Sequence, residues 1–153
     1  RARSNVDIRS GSVSLAMSHV VPDLIQKVLK GQDPLHIFGS GDQVRCYTYG
    51  GDLARGIVDS LDAPGARNED FNLSTATSTT VRELAEIIWR HVHGPDRPLN
   101  FVHDDPYPHD VQQRVPDVSK ARDAFGFSAD TPIDRVLDEL VPWIASAIDG
   151  GLV

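Results

Sequence analysis

Apolar residues recur along this chain with two periods, and the breaks between them fall at Gly, Pro and Ser. Between Ser18 and Lys30, Val20, Leu24 and Val28 lie four apart, and so do Val21, Ile25 and Leu29. On a helix the two rows merge into one broad apolar face. Pro22 falls in the first turn, where a missing N–H is tolerated, and Gly31 follows as a stop. Leu35 to Phe38 and Val44 to Tyr49 are short and rich in β-branched and aromatic residues. They predict two strands joined as a hairpin by Gly39-Ser40-Gly41-Asp42. After Gly50-Gly51, Asp52 is expected to cap a helix that places Leu53, Ile57 and Leu61 on one side. Asp70 to Leu73 predicts a further short strand. Thr80-Val81-Arg82-Glu83 has the form of a capping box and opens a helix carrying Val81, Leu84, Ala85, Ile88 and Val92, ending at Gly94. Pro98 to His103 predicts a strand, Asp104 to Pro116 an irregular stretch, and Asp117 to Phe125 a short helix closed by Gly126. Thr131-Pro132 starts the last helix as cap and first-position proline. Its stripe runs from Ile133 through Leu137, Leu140 and Ile144 to Ile148, with Pro142 expected to kink it. Helices alternating with short strands place the chain in the α/β or α+β class.

Composition narrows the choices. The chain has 153 residues, 40% of them apolar, which predicts one folded domain over residues 1–153. A formal net charge of −7 argues against a protein that wraps nucleic acid. No apolar run approaches the roughly 18 residues of a membrane span. The basic start RARSNVDIRSGS lacks the apolar stretch of a secretory signal, so the expected location is cytoplasmic. A single cysteine, Cys46, excludes an internal disulfide framework and a cysteine-cluster metal site.

Candidate chemistry is sparse. Gly39 and Gly41 precede a predicted strand rather than a helix, so they do not form the glycine-rich turn that holds a dinucleotide pyrophosphate. No tyrosine is followed four residues later by a lysine that would lower its pKa. The six histidines have no zinc-motif spacing, and His91 and His93 point to different faces of their helix. Cys46 reads as a small strand residue, and Trp89 and Trp143 as core or interface residues on helices. Arg45, taken alone, reads as a solvated or ion-paired strand residue.

Four blocks, in order, resemble the C-terminal half of the extended short-chain dehydrogenase/reductase family, the NAD-dependent nucleotide-sugar epimerases and dehydratases. Arg1-x-x-x-Asn5-Val6 is similar to the family's R-x-x-N-V-Y-G. SHVVPDLIQKVLKGQDPLHIFGSGDQVRCYTYGGDLARGI is similar to its long block of helix, hairpin and return helix. FNLSTATSTTVRELAEIIW is similar to its F-N-L strand and following helix, and RVPDVSKARDAFGF to its D-x-S-K-A block. The resemblance implies an α/β fold. This chain would be the C-terminal substrate-binding half of an extended Rossmann-type enzyme, with short strands and about five helices. The NAD-binding half and the catalytic Tyr and Lys would be missing, and the segment 70–73 would join the edge of a sheet completed by that half. Asn5 matches the family's asparagine near the substrate diphosphate. Arg45 matches its phosphate-binding arginine, and a guanidinium's planar fork suits phosphate oxygens. Asp110 falls near a substrate-binding acidic position of the family, in the loop before the S-K-A block, and Val20, Val21 and Pro22 lie where the family packs against the nucleotide base. The chain departs from the pattern at Cys46, where an aspartate is usual, and at Tyr107, where a second phosphate arginine is common. The expected partners are a nucleotide-sugar, a second copy or the missing Rossmann half, with NAD bound only when that half is present. The other reading is a non-catalytic module that self-associates or binds a partner.

Overall fold

The computed structural model describes residues 19–106 and 109–153. The elements in chain order are helix α1 (Val20–Leu29), strand β1 (Leu35–Phe38), strand β2 (Val44–Arg45), helix α2 (Gly50–Asp62), a 3₁₀ turn (Pro64–Ala66), strand β3 (Thr79–Thr80), helix α3 (Val81–His93), strand β4 (Phe101–Asp104), helix α4 (Ser119–Phe125) and helix α5 (Ile133–Asp149).

The strongly periodic segments fold as their patterns predict. Leu24, Ile25 and Val28 of α1 meet Leu84, Ala85, Ile88 and Trp89 of α3, and Leu137, Ile144 and Ala147 of α5. Leu35 and Ile37, on one face of β1, close this core from the side. Each such Leu or Ile contributes roughly 1.5–3 kcal/mol by leaving water. Trp89 is buried, with its indole N–H donating to the Arg97 carbonyl at 3.0 Å, and Trp143 packs at the margin of the same core. The capping box forms in full: the Glu83 N–H donates to Thr80 Oγ1, and the Thr80 N–H donates to the Glu83 carboxylate. A second, smaller cluster gathers Ala121, Phe127 and Ala129 under Phe71, Leu73 and Phe125.

The strands do not pair as the local pattern predicts. β1 and β2 are not a hairpin: β1 runs parallel to β4, Leu35 opposite Phe101 and Phe38 opposite Asp104, and β2 runs antiparallel to β3. The turn at 39–42 therefore sends the chain from one two-stranded sheet to the other. Gly39 and Gly41 both take positive φ, 68° and 78°, which permits that change of direction. The second strand is limited to Val44–Arg45, and residues 46–49 are irregular. They are fastened by side chains: Thr48 Oγ1 lies 3.0 Å from Ser74 Oγ and accepts the Thr75 N–H. Pro98 to His103 becomes Phe101–Asp104. Residues 70–73 form no strand among the described residues. They are held by ring packing of Phe71 on Phe125 and by the Asn72 amide donating to the Asp117 carbonyl.

Two helix starts also differ. α2 begins at Gly50, so Asp52 lies inside its first turn rather than at the cap. Its carboxylate reaches across to the start of α5, accepting the Thr131 N–H at 3.0 Å and Arg55 Nη2 at 3.0 Å. Pro132 is the cap of α5, not its first residue, and the helix continues unbroken through Pro142. Of the predicted apolar side of α2, Leu53 is partly buried whereas Ile57 and Leu61 are exposed, Leu61 to 80%, with exposed Val58 beside them.

Candidate functional site

Residues 43, 45 and 47 alternate along the chain, and all three side chains line one cavity of about 490 Å³. The period of two is that of extended backbone, which sends every second side chain to the same face. The first helix supplies Val20, Asp23, Leu24 and Lys27 to the lining, and β1 supplies His36, Ile37 and Phe38. Asp110 lines it as well.

Arg45 and Asp110, 65 residues apart in sequence, are brought together there. Arg45 Nη2 donates to Asp110 Oδ1 at 3.2 Å, and Nη1 donates to the Val44 carbonyl at 2.8 Å and the Gln112 carbonyl at 3.5 Å. The backbone holds the pair in register. The Val44 N–H donates to the Gln112 carbonyl at 2.8 Å, and the Arg114 N–H to the Val44 carbonyl at 3.0 Å. Residues 112–114 thus run beside β2 and carry Asp110 to the cavity. Both side chains are about one quarter exposed, enough to meet a ligand and buried enough to limit screening.

Lys27, which also lines the cavity, is tied by an ion pair to Asp23 at 2.8 Å, by a hydrogen bond to the His36 carbonyl at 3.1 Å and by a seat over the Phe38 ring. His36 Nδ1 lies 2.8 Å from Asp104 Oδ1 across the β1–β4 pair. The lining thus combines apolar Val20, Leu24, Ile37 and Phe38 with two cations, Lys27 and Arg45, each ion-paired to a lining acid, Asp23 and Asp110.

The remaining predicted residues divide. Val20 lines the cavity, whereas Val21 is packed against the helical core and does not line it. Asn5 lies outside the described residues. Cys46 follows β2 as a partly buried thiol whose pKa burial raises, which disfavours the thiolate a nucleophile needs. Tyr47 also lines a smaller cavity of about 300 Å³ with Thr75, Thr77 and Thr131. Its hydroxyl is buried without a partner among the described residues. Burial, only partly offset by the Arg45 charge, pushes its pKa up to about 12, so it is a neutral phenol near neutral pH and no base. Among the described residues no group of three His, Cys, Asp or Glu side chains is placed to hold a metal ion, and no helix is long and apolar enough to cross a membrane.

Sequence reasoning missed Gln43, Lys27 and His36. The signal for Gln43 was available: it stands two residues before Arg45 and so shares its face. The predicted hairpin left it between the turn at 39–42 and the strand beginning at Val44.

A profile of the GDP-mannose 4,6 dehydratase family matches residues 11–140 of the chain. UDP-N-acetyl-alpha-D-glucosaminuronate decarboxylase of Bacillus cytotoxicus is 27% identical over 127 residues, which are 81% of this chain and 39% of that protein. The structure of UDP-glucose 4-epimerase of Thermotoga maritima with UDP-glucose superposes with a TM-score of 0.71 at 27% identity, over 85% of this chain and 40% of the other. UDP-glucuronic acid 4-epimerase of Bacillus cereus, solved in complex with UDP-glucuronic acid and NAD, has the same fold over 85% of this chain and 40% of its own, at a TM-score of 0.75 and 22% identity. The chain therefore spans about two fifths of the length of these relatives. With a family profile matched over most of its length and an α/β arrangement of short strands and five described helices shared with solved epimerases, the chain belongs to the nucleotide-sugar epimerase and dehydratase family of extended short-chain dehydrogenase/reductases.

Proposed function

We propose that this chain is the substrate-side part of an NAD-dependent nucleotide-sugar epimerase, decarboxylase or dehydratase, and that its larger cavity binds the nucleotide diphosphate end of the substrate in the cytoplasm. The observation that carries this reading is the Arg45 guanidinium, held at the wall of a 490 Å³ cavity by three backbone and carboxylate acceptors while its Nε has none among the described residues. A partly fixed fork of donors is the group suited to phosphate oxygens. The apolar wall at Val20, Leu24 and Phe38 suits a planar base, and Asp110 suits a hydroxyl. Holding remote parts of a substrate leaves its sugar free to be positioned for chemistry elsewhere.

The relatives solved with NAD raise the question of the cofactor. The residues described here do not fit a dinucleotide: the Gly39–Gly41 turn leads into β2 and presents no helix N-terminus to a pyrophosphate. No hydride step is assigned to this chain, which by itself is proposed to bind substrate without converting it. The exposed Ile57, Val58 and Leu61 of α2 favour a covering partner, either a cofactor-binding half or a second copy.

Titration of the chain with UDP by calorimetry tests the reading. Arg45→Ala removes one charge-assisted contact, about 1.5–3 kcal/mol, so binding should weaken by roughly tenfold or more. Equal UDP affinity in the wild-type and Arg45→Ala chains would remove Arg45 from the site. Turnover of UDP-sugars with NAD by this chain alone would show that it is more than a binding part.

A further inference from the structure

Gln43 is almost fully buried, at 4% exposure, yet its Oε1 has no hydrogen-bond partner among the described residues. A buried unmade acceptor is costly, and an amide can usually escape by turning over. This one cannot. Its Nε2 donates to Asp110 Oδ2 at 2.9 Å and to the Phe38 carbonyl at 3.2 Å, so turning over would set its oxygen against two other acceptors. The amide is therefore locked, at the expense of its own carbonyl. The surroundings are shaped for it. Gly39 lies so close that a Cβ there would collide with Gln43 Nε2. His109, just before Asp110, is a non-glycine residue with φ 68°, a strained backbone kept only where neighbours over-determine it.

We infer that Gln43 is a positioning residue: by holding one oxygen of Asp110, it limits that carboxylate to a single contact with Arg45 and keeps the rest of the guanidinium available to a phosphate. Asp110 has two oxygens. Gln43 takes Oδ2 and Arg45 Nη2 takes Oδ1. Without the Gln43 donor, the carboxylate is free to turn and clasp Arg45 through Nε and Nη2 together, the two-pronged geometry that arginine and carboxylate prefer. The site would then be closed by its own acid. Gln43 touches no ligand in this scheme; it acts through Asp110. The ligand arm of the inference rests on the phosphate reading of Arg45.

The test uses UDP as probe and four chains: wild type, Gln43→Met, Asp110→Asn and the double variant. Methionine keeps the length and volume of glutamine and removes the donor. Gln43→Met is expected to weaken UDP binding about three- to tenfold, the range of one lost hydrogen bond. In the Asp110→Asn background the same substitution should have no effect, because the acid that closes the site is gone. Equal loss in both backgrounds, or none in either, overturns the inference. A readout without ligand separates it from the phosphate reading: ¹⁵N NMR of the arginine side chains reports rotation of the Arg45 guanidinium, which a two-pronged clasp slows. If the wild-type chain does not bind UDP, the phosphate reading fails, and unchanged rotation in Gln43→Met overturns the positioning role as well. Should Gln43→Met not fold, Gln43→Leu, which also lacks the donor and carries no charge, takes its place with the same expectations.

Discussion

Asp52 links two parts of the chain that share no element, and its removal should be felt globally. The carboxylate is 8% exposed and accepts the Thr131 N–H and Arg55 Nη2, each at 3.0 Å. Asp52→Ala leaves the part-buried Thr131 N–H without an acceptor and frees the entry to α5 from α2. A hydrogen bond to a charged group contributes about 1.5–3 kcal/mol, and the Arg55 contact adds little because that side chain is half exposed. The expected loss is about 2–3 kcal/mol. At about 2–4 °C per kcal/mol for a chain of this size, the melting temperature should fall by roughly 5–10 °C. Asp52→Asn keeps one acceptor for Thr131 and should lose about half as much. The pH dependence carries the same signature. Burial pushes the Asp52 pKa up, but the Thr131 N–H and the Arg55 guanidinium outweigh it, so the net shift is downward from 3.8. A depressed carboxylate pKa contributes stability that is complete above the unfolded value and is lost as pH falls through the folded one. Between pH 5 and pH 3 the wild-type chain should therefore lose more stability than Asp52→Asn. Urea unfolding followed by circular dichroism measures both effects. A loss below about 0.5 kcal/mol in Asp52→Ala, or parallel pH curves for wild type and Asp52→Asn, would refute the role given to this carboxylate.

Two further outcomes follow from close packing and burial. Gly56, buried within α2, faces the ring of Phe127, and a Cβ there would collide with the Phe127 Cε2 and Cδ2 atoms. Gly56→Ala, which normally stabilises a helix interior, should here cost about 1–3 kcal/mol in thermal unfolding, and a gain in melting temperature would show that the ring moves freely. Tyr47 should titrate near 12 in ultraviolet absorbance, above the ordinary 10. Its raised pKa means that stability is complete below pH 10 and declines as pH rises from 10 to 12, whereas Tyr47→Phe should show a shallower decline in that window.

Periodicity made the helices legible. The rows of α1, α3 and α5 are long enough for a 3.6-residue repeat to stand out, and the Thr80–Glu83 box marks an end by chemistry that is local to four residues. Strand partners were hidden. β1 pairs with a strand 66 residues further on in register, Leu35 with Phe101, and nothing in LHIF distinguishes a parallel from a hairpin neighbour. Gly39 and Gly41 permitted either geometry. The segment 70–73 has the composition of a strand, but its neighbours here are Phe125 and the Asp117 carbonyl. Asp52 fitted a cap by its position after two glycines, while its acceptor role depends on Thr131, 79 residues away. At the site, family resemblance pointed to Arg45 and Asp110, which do meet. The place of Gln43 on the same face as Arg45 was legible from the spacing of two, but its contacts with Asp110 and Gly39 join residues that the sequence alone does not bring together.

The parallel pairing of β1 with β4 has a consequence for assembly. The rigid wall that holds His36 and Phe38 exists only after α3 has docked and brought Phe101–Asp104 back alongside. A growing chain can therefore shape its helices early but cannot offer a finished pocket until residues far downstream have emerged. Any molecule that fits the pocket then selects the completed chain over every partial one, and at a hundred times its dissociation constant adds about 2.7 kcal/mol to the fold.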